Sequence, residues 1–335
     1  MDLKIILLML IGVLCLSAGT NADQTKPQSE PLGIAMENYP YPYPVEYMDS
    51  AIEGQDVRMA YMDIRPEEQV KGKNVLLLHG KNFFGAYWEE TIAFLTGHGF
   101  RVVVPDQIGF GKSSKPDIHY SFHLLAQNTK RLLNELGVEK VSVVGHSMGG
   151  MLAVRFTLMY PDSVEHLVLE NPIGLEDYKV KIPYSTVEEV YNSVLKSTEE
   201  GIRKYHEAYY TEWKPEYEKY VQVHYRWTLS GEYPRLAWAS ALTSQMIYTQ
   251  PVVYEFPNIG APTLLIIGQD DRTTLGRGEV SPEVLATLGN YPELGKKAAK
   301  AIPNSKLVEM EGVGHIPHLE ATDKFHQALL EFIEE

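Results

Sequence analysis

Ser147 is the residue of this sequence whose surroundings point most directly to covalent chemistry. It stands in "VSVVGHSMGGMLAVRF" between Gly145 and Gly149, in a G-x-S-x-G pattern. Glycines on both sides let the chain turn sharply from a strand into a helix and project the serine at that turn. The pattern therefore predicts Ser147 as a nucleophile, with a serine in an ordinary turn as the alternative.

A serine hydroxyl needs a base to accept its proton, and the base needs a carboxylate to orient it. We predict His315 in "GVGHIPHLE" as the base, because it lies in a glycine-containing loop between a predicted strand and the last helix. The stretch "TLLIIGQDDRTT" offers Asp270 and Asp271 as the acid, and the residue pattern alone leaves both open. His79 and His146 are predicted to hold loops through hydrogen bonds.

Hydrolysis of an acyl compound also requires donors for the negative charge that develops on the carbonyl oxygen. The predicted turn places the backbone amide of Met148 at the start of a helix, where such a donor is available. We expect the second amide from Lys81 in "HGKNFFGAYW", with Asn82 as the second choice, and assign no role to the Lys81 side chain. Gly80 and Gly150 are expected to support the loop and the turn.

Short apolar runs rich in Val, Leu and Ile alternate with amphipathic stretches of helical length through most of the chain. This alternation predicts an α/β fold with a doubly wound, mostly parallel sheet, which binds ligands beyond the carboxyl ends of its strands. The candidate residues follow these runs and are expected to converge there. The runs are "NVLLLHG", "RVVVPD", "VSVVGHS", "EHLVLEN" and "TLLIIGQ", and a hairpin is predicted over 45–64.

Four kinds of segment are predicted along the chain. Residues 1–22 combine a lysine, an apolar run and small residues before a cleavage point near Ala22, which predicts a signal peptide and a periplasmic or secreted protein. An uncleaved membrane anchor is the alternative; after cleavage no stable membrane span is expected. Residues 23–44, ending in "YPYPYP", are predicted as an extended leader laid along a surface. The core is expected at 45–171 and 258–335, with a helical, Tyr- and Trp-rich cap at 172–257.

Composition narrows the range of partners. The formal net charge of −14 argues against nucleic acid as a partner, because no basic stripe accompanies it. The sequence has no clustered His and Cys ligand set, and "GFGKSS" lacks the full phosphate-loop spacing. We therefore predict no metal and no organic cofactor, and a small molecule as the partner.

Five segments together resemble the α/β-hydrolase superfamily, in its branch with a helical cap. The resemblance runs from about residue 45 to the C-terminus and implies Ser147 as nucleophile and His315 as base. It favours Asp271 over Asp270 as the acid, because the family's acid usually lies three residues beyond the strand-end glycine, here Gly268. The segments are "LLLHGKNFFGAYWEE", "VVVPDQIGFGKSSKP", "VSVVGHSMGGMLAVRF", "LLIIGQDDR" and "GVGHIPHLEATDKF".

The same resemblance implies an oxyanion hole formed by the amides of Lys81 and Met148. It also implies that "DQIGFGKSSKP", which begins at Asp106, is a structural turn beside the site. Dehalogenases and epoxide hydrolases of this superfamily carry aspartate at the position of Ser147, so the sequence disfavours both activities.

The expected function is a secreted serine hydrolase that cleaves a carboxylic ester or lactone through an acyl-enzyme. The aromatic cap favours an apolar or aromatic acyl substrate. The alternatives are a carbon–carbon bond hydrolase, an aminopeptidase- or amidase-like enzyme, and a non-catalytic binding protein of the same fold. An aminopeptidase would need acidic groups in the cap, for which the sequence offers Glu188, Glu189, Glu199 and Glu200.

Overall fold

The computed structural model describes residues 30–68 and 70–335. The predicted signal peptide at 1–22 and leader residues 23–29 lie outside the described residues. Within them, an eight-stranded sheet has the order β1-β2-β4-β3-β5-β6-β7-β8. The strands are β1 (Glu46–Ile52), β2 (Gln55–Ile64), β3 (Asn74–Leu78), β4 (Arg101–Pro105), β5 (Val141–His146), β6 (Val164–Glu170), β7 (Thr263–Gly268) and β8 (Ser305–Met310).

The predicted α/β class is confirmed by the pairing of these strands. The β1–β2 hairpin and the β2–β4 pair are antiparallel, and every pair from β4 to β8 is parallel. Strands β5 and β7 are buried at every position. Burial on both faces explains why these strands read as continuous apolar runs instead of alternating ones.

Helices cover both faces of the sheet and follow its strands. Helix α2 illustrates how the sequence defines them: the Ser121 side chain accepts from the Leu124 amide at its start, and apolar residues at three- and four-residue spacing are buried. The helices of the core are α1 (Glu89–Gly97), α2 (Phe122–Glu135), α3 (Met148–Met159), α8 (Pro282–Leu285), α9 (Tyr291–Ala301), α10 (Pro317–Glu320) and α11 (Thr322–Ile333).

Four helices lie between β6 and β7, within the segment predicted as a cap. They are α4 (Val187–Leu195), α5 (Glu199–Glu207), α6 (Glu218–Thr228) and α7 (Tyr233–Thr249). Helix α4 packs against α7, and α5 packs against α6. None of the helices in the described part of the chain is long and apolar enough to cross a membrane.

The described part of the predicted leader is partly buried and does not simply lie along the surface. Leu32 and Met36 are buried in a cluster with Phe84 of the core and Trp227 of α6. The Leu32 amide also donates to the Arg226 carbonyl at 3.0 Å. The apolar side chains of "PLGIAM" give this segment enough hydrophobic surface to be buried, which the neighbouring prolines did not indicate.

Asp106 connects the leader to the core. Its carboxylate accepts hydrogen bonds from the Tyr41 hydroxyl at 2.6 Å, the Gly85 amide at 2.6 Å and the Lys112 amide at 2.7 Å. Three donors satisfy this buried carboxylate, so the structural role predicted for the segment beginning at Asp106 agrees with its contacts.

Candidate active site

Ser147 lies at the sharp connection between β5 and α3. Its backbone has φ 56° and ψ −119°, a conformation that non-glycine residues rarely adopt. Gly149, in the first turn of α3, lies directly against the end of the neighbouring strand β3, since a Cβ at this position would be 2.2 Å from the Leu78 carbonyl oxygen. The glycines of the G-x-S-x-G pattern therefore allow the close strand–helix contact that holds Ser147 in this conformation.

Gly149→Ala is expected to lower the free energy of unfolding by about 3 kcal/mol or more, because the methyl group would overlap backbone atoms that cannot rotate away. Chemical denaturation measures this change. Gly97→Ala is the matched control: Gly97 is also helical, and a Cβ there meets nothing within 4 Å. Equal stability of the two variants would contradict the packing argument.

Ser147, His315 and Asp271 form a hydrogen-bonded row at the carboxyl ends of the strands. The His315 Nε2 atom lies 2.9 Å from Ser147 Oγ, and His315 Nδ1 lies 2.6 Å from Asp271 Oδ2. Ser147 is 7% exposed, and the other two residues are almost completely buried. The structure thus brings together the three residues that were predicted as nucleophile, base and acid.

Asp271 is held in place by three donors. Besides His315, the Asn171 side chain donates to its Oδ2 at 2.8 Å and the Thr273 amide donates to its Oδ1 at 2.7 Å. Burial alone would raise the pKa of Asp271, but the proximity of His315 and these hydrogen bonds lower it overall. The alternative acid, Asp270, is exposed and has no contact with His315.

Asn171 is a residue of the site that sequence reasoning missed. It follows β6 with φ 35°, and its side-chain oxygen accepts from the Gly268 amide at 2.8 Å while its nitrogen donates to Asp271. A polar residue directly after a buried parallel strand was a usable signal, because all such strand ends meet at one edge of the sheet.

His146, next to Ser147, connects three loops. Its Nε2 donates to the His315 carbonyl at 2.8 Å, so its Nδ1 accepts from the Tyr87 hydroxyl at 2.9 Å. That hydroxyl in turn accepts from the Gly80 amide at 3.0 Å. Burial lowers the pKa of His146 well below its usual value, so the ring is neutral and joins the loops through these hydrogen bonds.

The loop after β3 approaches Ser147 from the other side. His79 fixes its start, with Nδ1 donating to the Gly80 carbonyl at 2.9 Å and Nε2 accepting from the Gln107 amide at 3.0 Å. A Cβ on Gly80 would lie 3.2 Å from the Ser147 Cβ. A side chain at position 80 would therefore be crowded against Ser147, so glycine favours this close approach, and the Lys81 amide follows directly.

Glu170 and His318 form a second buried pair that the sequence did not indicate. The His318 amide and Nδ1 both donate to Glu170 Oε1, at 2.7 and 2.8 Å, and the ring stacks on Trp88 with centroids 4.1 Å apart. Burial raises the pKa of Glu170 to about 7 and lowers that of His318. The pair joins the end of β6 to α10, the helix that follows the His315 loop.

A cavity of about 480 Å³ opens beside Ser147 between the core and the cap helices. Five tyrosine and tryptophan residues of the predicted cap line it: Tyr178, Tyr205, Tyr209, Trp227 and Tyr233. Tyr209 also covers the site itself, because its ring stacks on His315 at 4.9 Å and its carbonyl accepts from the His315 amide at 2.7 Å. The remaining wall is mostly aliphatic or carries hydroxyl groups.

Comparison with known proteins agrees with this architecture. The sequence profile of the alpha/beta hydrolase fold matches residues 73–322, which is most of the chain. The chain belongs to the α/β hydrolase fold family. Its match to the family spans the candidate site from the loop after β3 to the helices that follow His315.

The proteins that are similar to this chain have names that describe different hydrolytic activities. A structure described as a probable hydrolytic enzyme from Pseudomonas aeruginosa is 49% identical, with a TM-score of 0.89 over 91% of this chain and 98% of that one. Lipase 1 of Psychrobacter immobilis is 26% identical over 94% of this α/β hydrolase and 95% of the lipase. A 2-hydroxy-6-oxo-6-(2'-aminophenyl)hexa-2,4-dienoic acid hydrolase of Metapseudomonas resinovorans is 28% identical over 68% of this chain and 78% of the relative.

Proposed function

We propose that this α/β hydrolase is an exported serine hydrolase that cleaves a carboxylic ester or lactone through an acyl-enzyme. The observation that carries the proposal is the row of Ser147, His315 and Asp271, with spacings of 2.9 and 2.6 Å beside an open cavity. The signal-peptide prediction for residues 1–22 is the basis for export.

In the first step, His315 Nε2 accepts the hydroxyl proton of Ser147 while Oγ forms a bond to the substrate carbonyl carbon. Asp271 accepts a hydrogen bond from the Nδ1–H group of His315 and stabilises the imidazolium that forms. The negative charge on the carbonyl oxygen is stabilised by the amides of Lys81 and Met148, neither of which has a protein acceptor among the described residues. Collapse of this intermediate breaks the bond to the leaving group, which takes its proton from His315.

In the second step, water replaces the leaving group. His315 removes a proton from the water as its oxygen attacks the acyl carbon, and the resulting intermediate collapses to release the acid. His315 returns its proton to Ser147 Oγ, which restores the starting state. The cycle consumes one water molecule and requires no other reactant.

The residues that line the cavity help to distinguish the alternative reactions. The four glutamates that an aminopeptidase-like enzyme would use, Glu188, Glu189, Glu199 and Glu200, do not line the cavity. Carbon–carbon bond hydrolysis is the second candidate, because the compound in the name of the 28% identical hydrolase contains no ester or amide bond. The same serine, histidine and oxyanion donors would serve that reaction.

The proposal is tested by assaying the purified protein with p-nitrophenyl butyrate, a vinylogous 1,5-diketo acid and alanine p-nitroanilide. We expect hydrolysis of the ester and stoichiometric labelling of Ser147 by a fluorophosphonate, located by mass spectrometry of the labelled peptide. Cleavage of the diketo acid in preference to the ester would favour the second candidate. A protein inert to all three substrates and to the probe would contradict the proposed function.

A further inference from the structure

Lys81 contributes more to the site than its backbone amide. Its side chain extends from the loop after β3 to helix α7 of the cap, where Nζ donates to the Ser240 carbonyl at 3.0 Å and to the Ser240 hydroxyl at 3.1 Å. Both Lys81 and Ser240 line the cavity that contains Ser147. An ammonium has three hydrogens, so one remains for another acceptor.

No acidic side chain neutralises this ammonium among the described residues. Within the part of the chain that the structure describes, the Lys81 ammonium donates to two neutral oxygens of Ser240, and burial lowers its pKa to about 8. The side chain is therefore mostly charged at pH 7. A partly buried charge with only neutral partners carries a desolvation cost that an anionic ligand would offset.

The charged side chains among the described residues of the cavity wall are all basic. The chain has 44 acidic against 30 basic Lys and Arg residues, yet the described residues around the cavity include Lys81 and Lys196 and no aspartate or glutamate. The third basic side chain, His224, is neutral, because burial, with a contribution from the Lys81 charge, lowers its pKa to about 4. Acidic groups are abundant on this protein and are excluded from this wall.

We infer that the Lys81 ammonium binds a carboxylate of the substrate, so that the enzyme acts on acyl compounds carrying a second, negatively charged acid group. The inference rests on the proposed function, because it assigns the substrate class of the same site. It refines the expectation of an apolar or aromatic acyl substrate: the apolar wall contacts the body of the molecule, and Lys81 holds its charged end.

Two matched pairs of esters test the inference and locate the carboxylate. On the acyl side, p-nitrophenyl hemiadipate is compared with its methyl ester. On the leaving-group side, 4-carboxyphenyl butyrate is compared with 4-(methoxycarbonyl)phenyl butyrate. We expect the wild-type enzyme to prefer the charged member of one pair in kcat/KM, after division by the uncatalysed hydrolysis rates.

Lys81→Met and Lys81→Gln remove the charge and keep the backbone amide. Each is expected to lower the charged-to-neutral ratio of kcat/KM by about 10- to 100-fold, the range of one charge-assisted hydrogen bond, mainly through KM. The ratio cancels any change that the substitution causes in the oxyanion hole. Lys196→Met, which removes the exposed lysine of the wall, is the control for a general effect of positive charge.

The outcomes separate this inference from the proposed function. Hydrolysis of the neutral esters without preference for either carboxylate overturns the role of Lys81 and leaves the serine hydrolase intact. A preference that is lost in Lys196→Met and kept in the Lys81 variants also overturns it. If no ester is hydrolysed at all, the proposed function fails first.

Discussion

Ser147→Ala is expected to lower kcat for ester hydrolysis by about 10⁴- to 10⁶-fold, the loss that follows removal of the nucleophile from a serine–histidine–aspartate unit. The variant keeps His315 and Asp271 but has no oxygen to form the acyl-enzyme. Because only one hydroxyl is removed from a position next to the cavity, the melting temperature should change little. Steady-state kinetics with p-nitrophenyl butyrate and a thermal unfolding curve measure the two quantities.

The matched control is Ser142→Ala, which removes the hydroxyl of a buried serine in β5, the strand that leads to Ser147. Ser142 Oγ lies 3.1 Å from His166 Nδ1 and outside the site, so its loss should leave kcat within about twofold. The Ser142 variant should also react with a fluorophosphonate as the wild type does, whereas Ser147→Ala should not. Unchanged activity of Ser147→Ala would exclude the acyl-enzyme mechanism.

Asp271→Asn is expected to lower kcat by about 10⁴-fold, because the neutral amide no longer holds His315 in the tautomer that accepts the serine proton. Asp271 Oδ2 accepts from both His315 and Asn171, and Oδ1 accepts from the Thr273 amide. Whichever way the new amide is oriented, its NH₂ group meets a donor. This mismatch is expected to cause a small loss of stability, which denaturation measures. The main effect of Asp271→Asn is expected in kcat, which steady-state kinetics measure.

Asp270→Asn provides the comparison that distinguishes the two candidate acids. Asp270 is exposed, so this variant should retain kcat within about twofold. A large loss in Asp270→Asn with little change in Asp271→Asn would mean that the acid had been assigned to the wrong neighbour. The lowered pKa of Asp271 keeps its carboxylate ionised at neutral pH, so both comparisons are made there.

Much of the fold could be predicted because the relevant signals are local. Each buried parallel strand is a short run of Val, Leu and Ile, and each helix has its own spacing of apolar residues. The serine turn is local as well, since Gly145 and Gly149 act within two residues of Ser147. The described leader residues were harder to predict, because the cluster formed by Leu32 and Met36 includes Trp227, far along the chain.

The contacts around the site join segments that are far apart in the sequence, so no local pattern of residues indicates them. Asn171 reaches Asp271 across 100 residues, and Glu170 reaches His318 across 148. The side chain of Lys81, to which we assigned no role, meets Ser240 of the cap 159 residues away. Each of these residues is unremarkable in its own stretch of sequence, and its partner is defined only when the chain is folded.

The sequence by itself determined the order of the candidate catalytic residues along the chain: a serine on a glycine-flanked turn, then an aspartate, then a histidine, each after a strand. These are consequences of backbone geometry, which a few neighbouring residues can impose. Only the tertiary structure decided how the candidate acid is supported, what covers His315 and which charge faces the cavity. Those features arise from packing between distant segments. The Lys81 ammonium is partly buried beside Ser240 and has no acidic partner among the described residues, a setting that its neighbours in sequence do not encode.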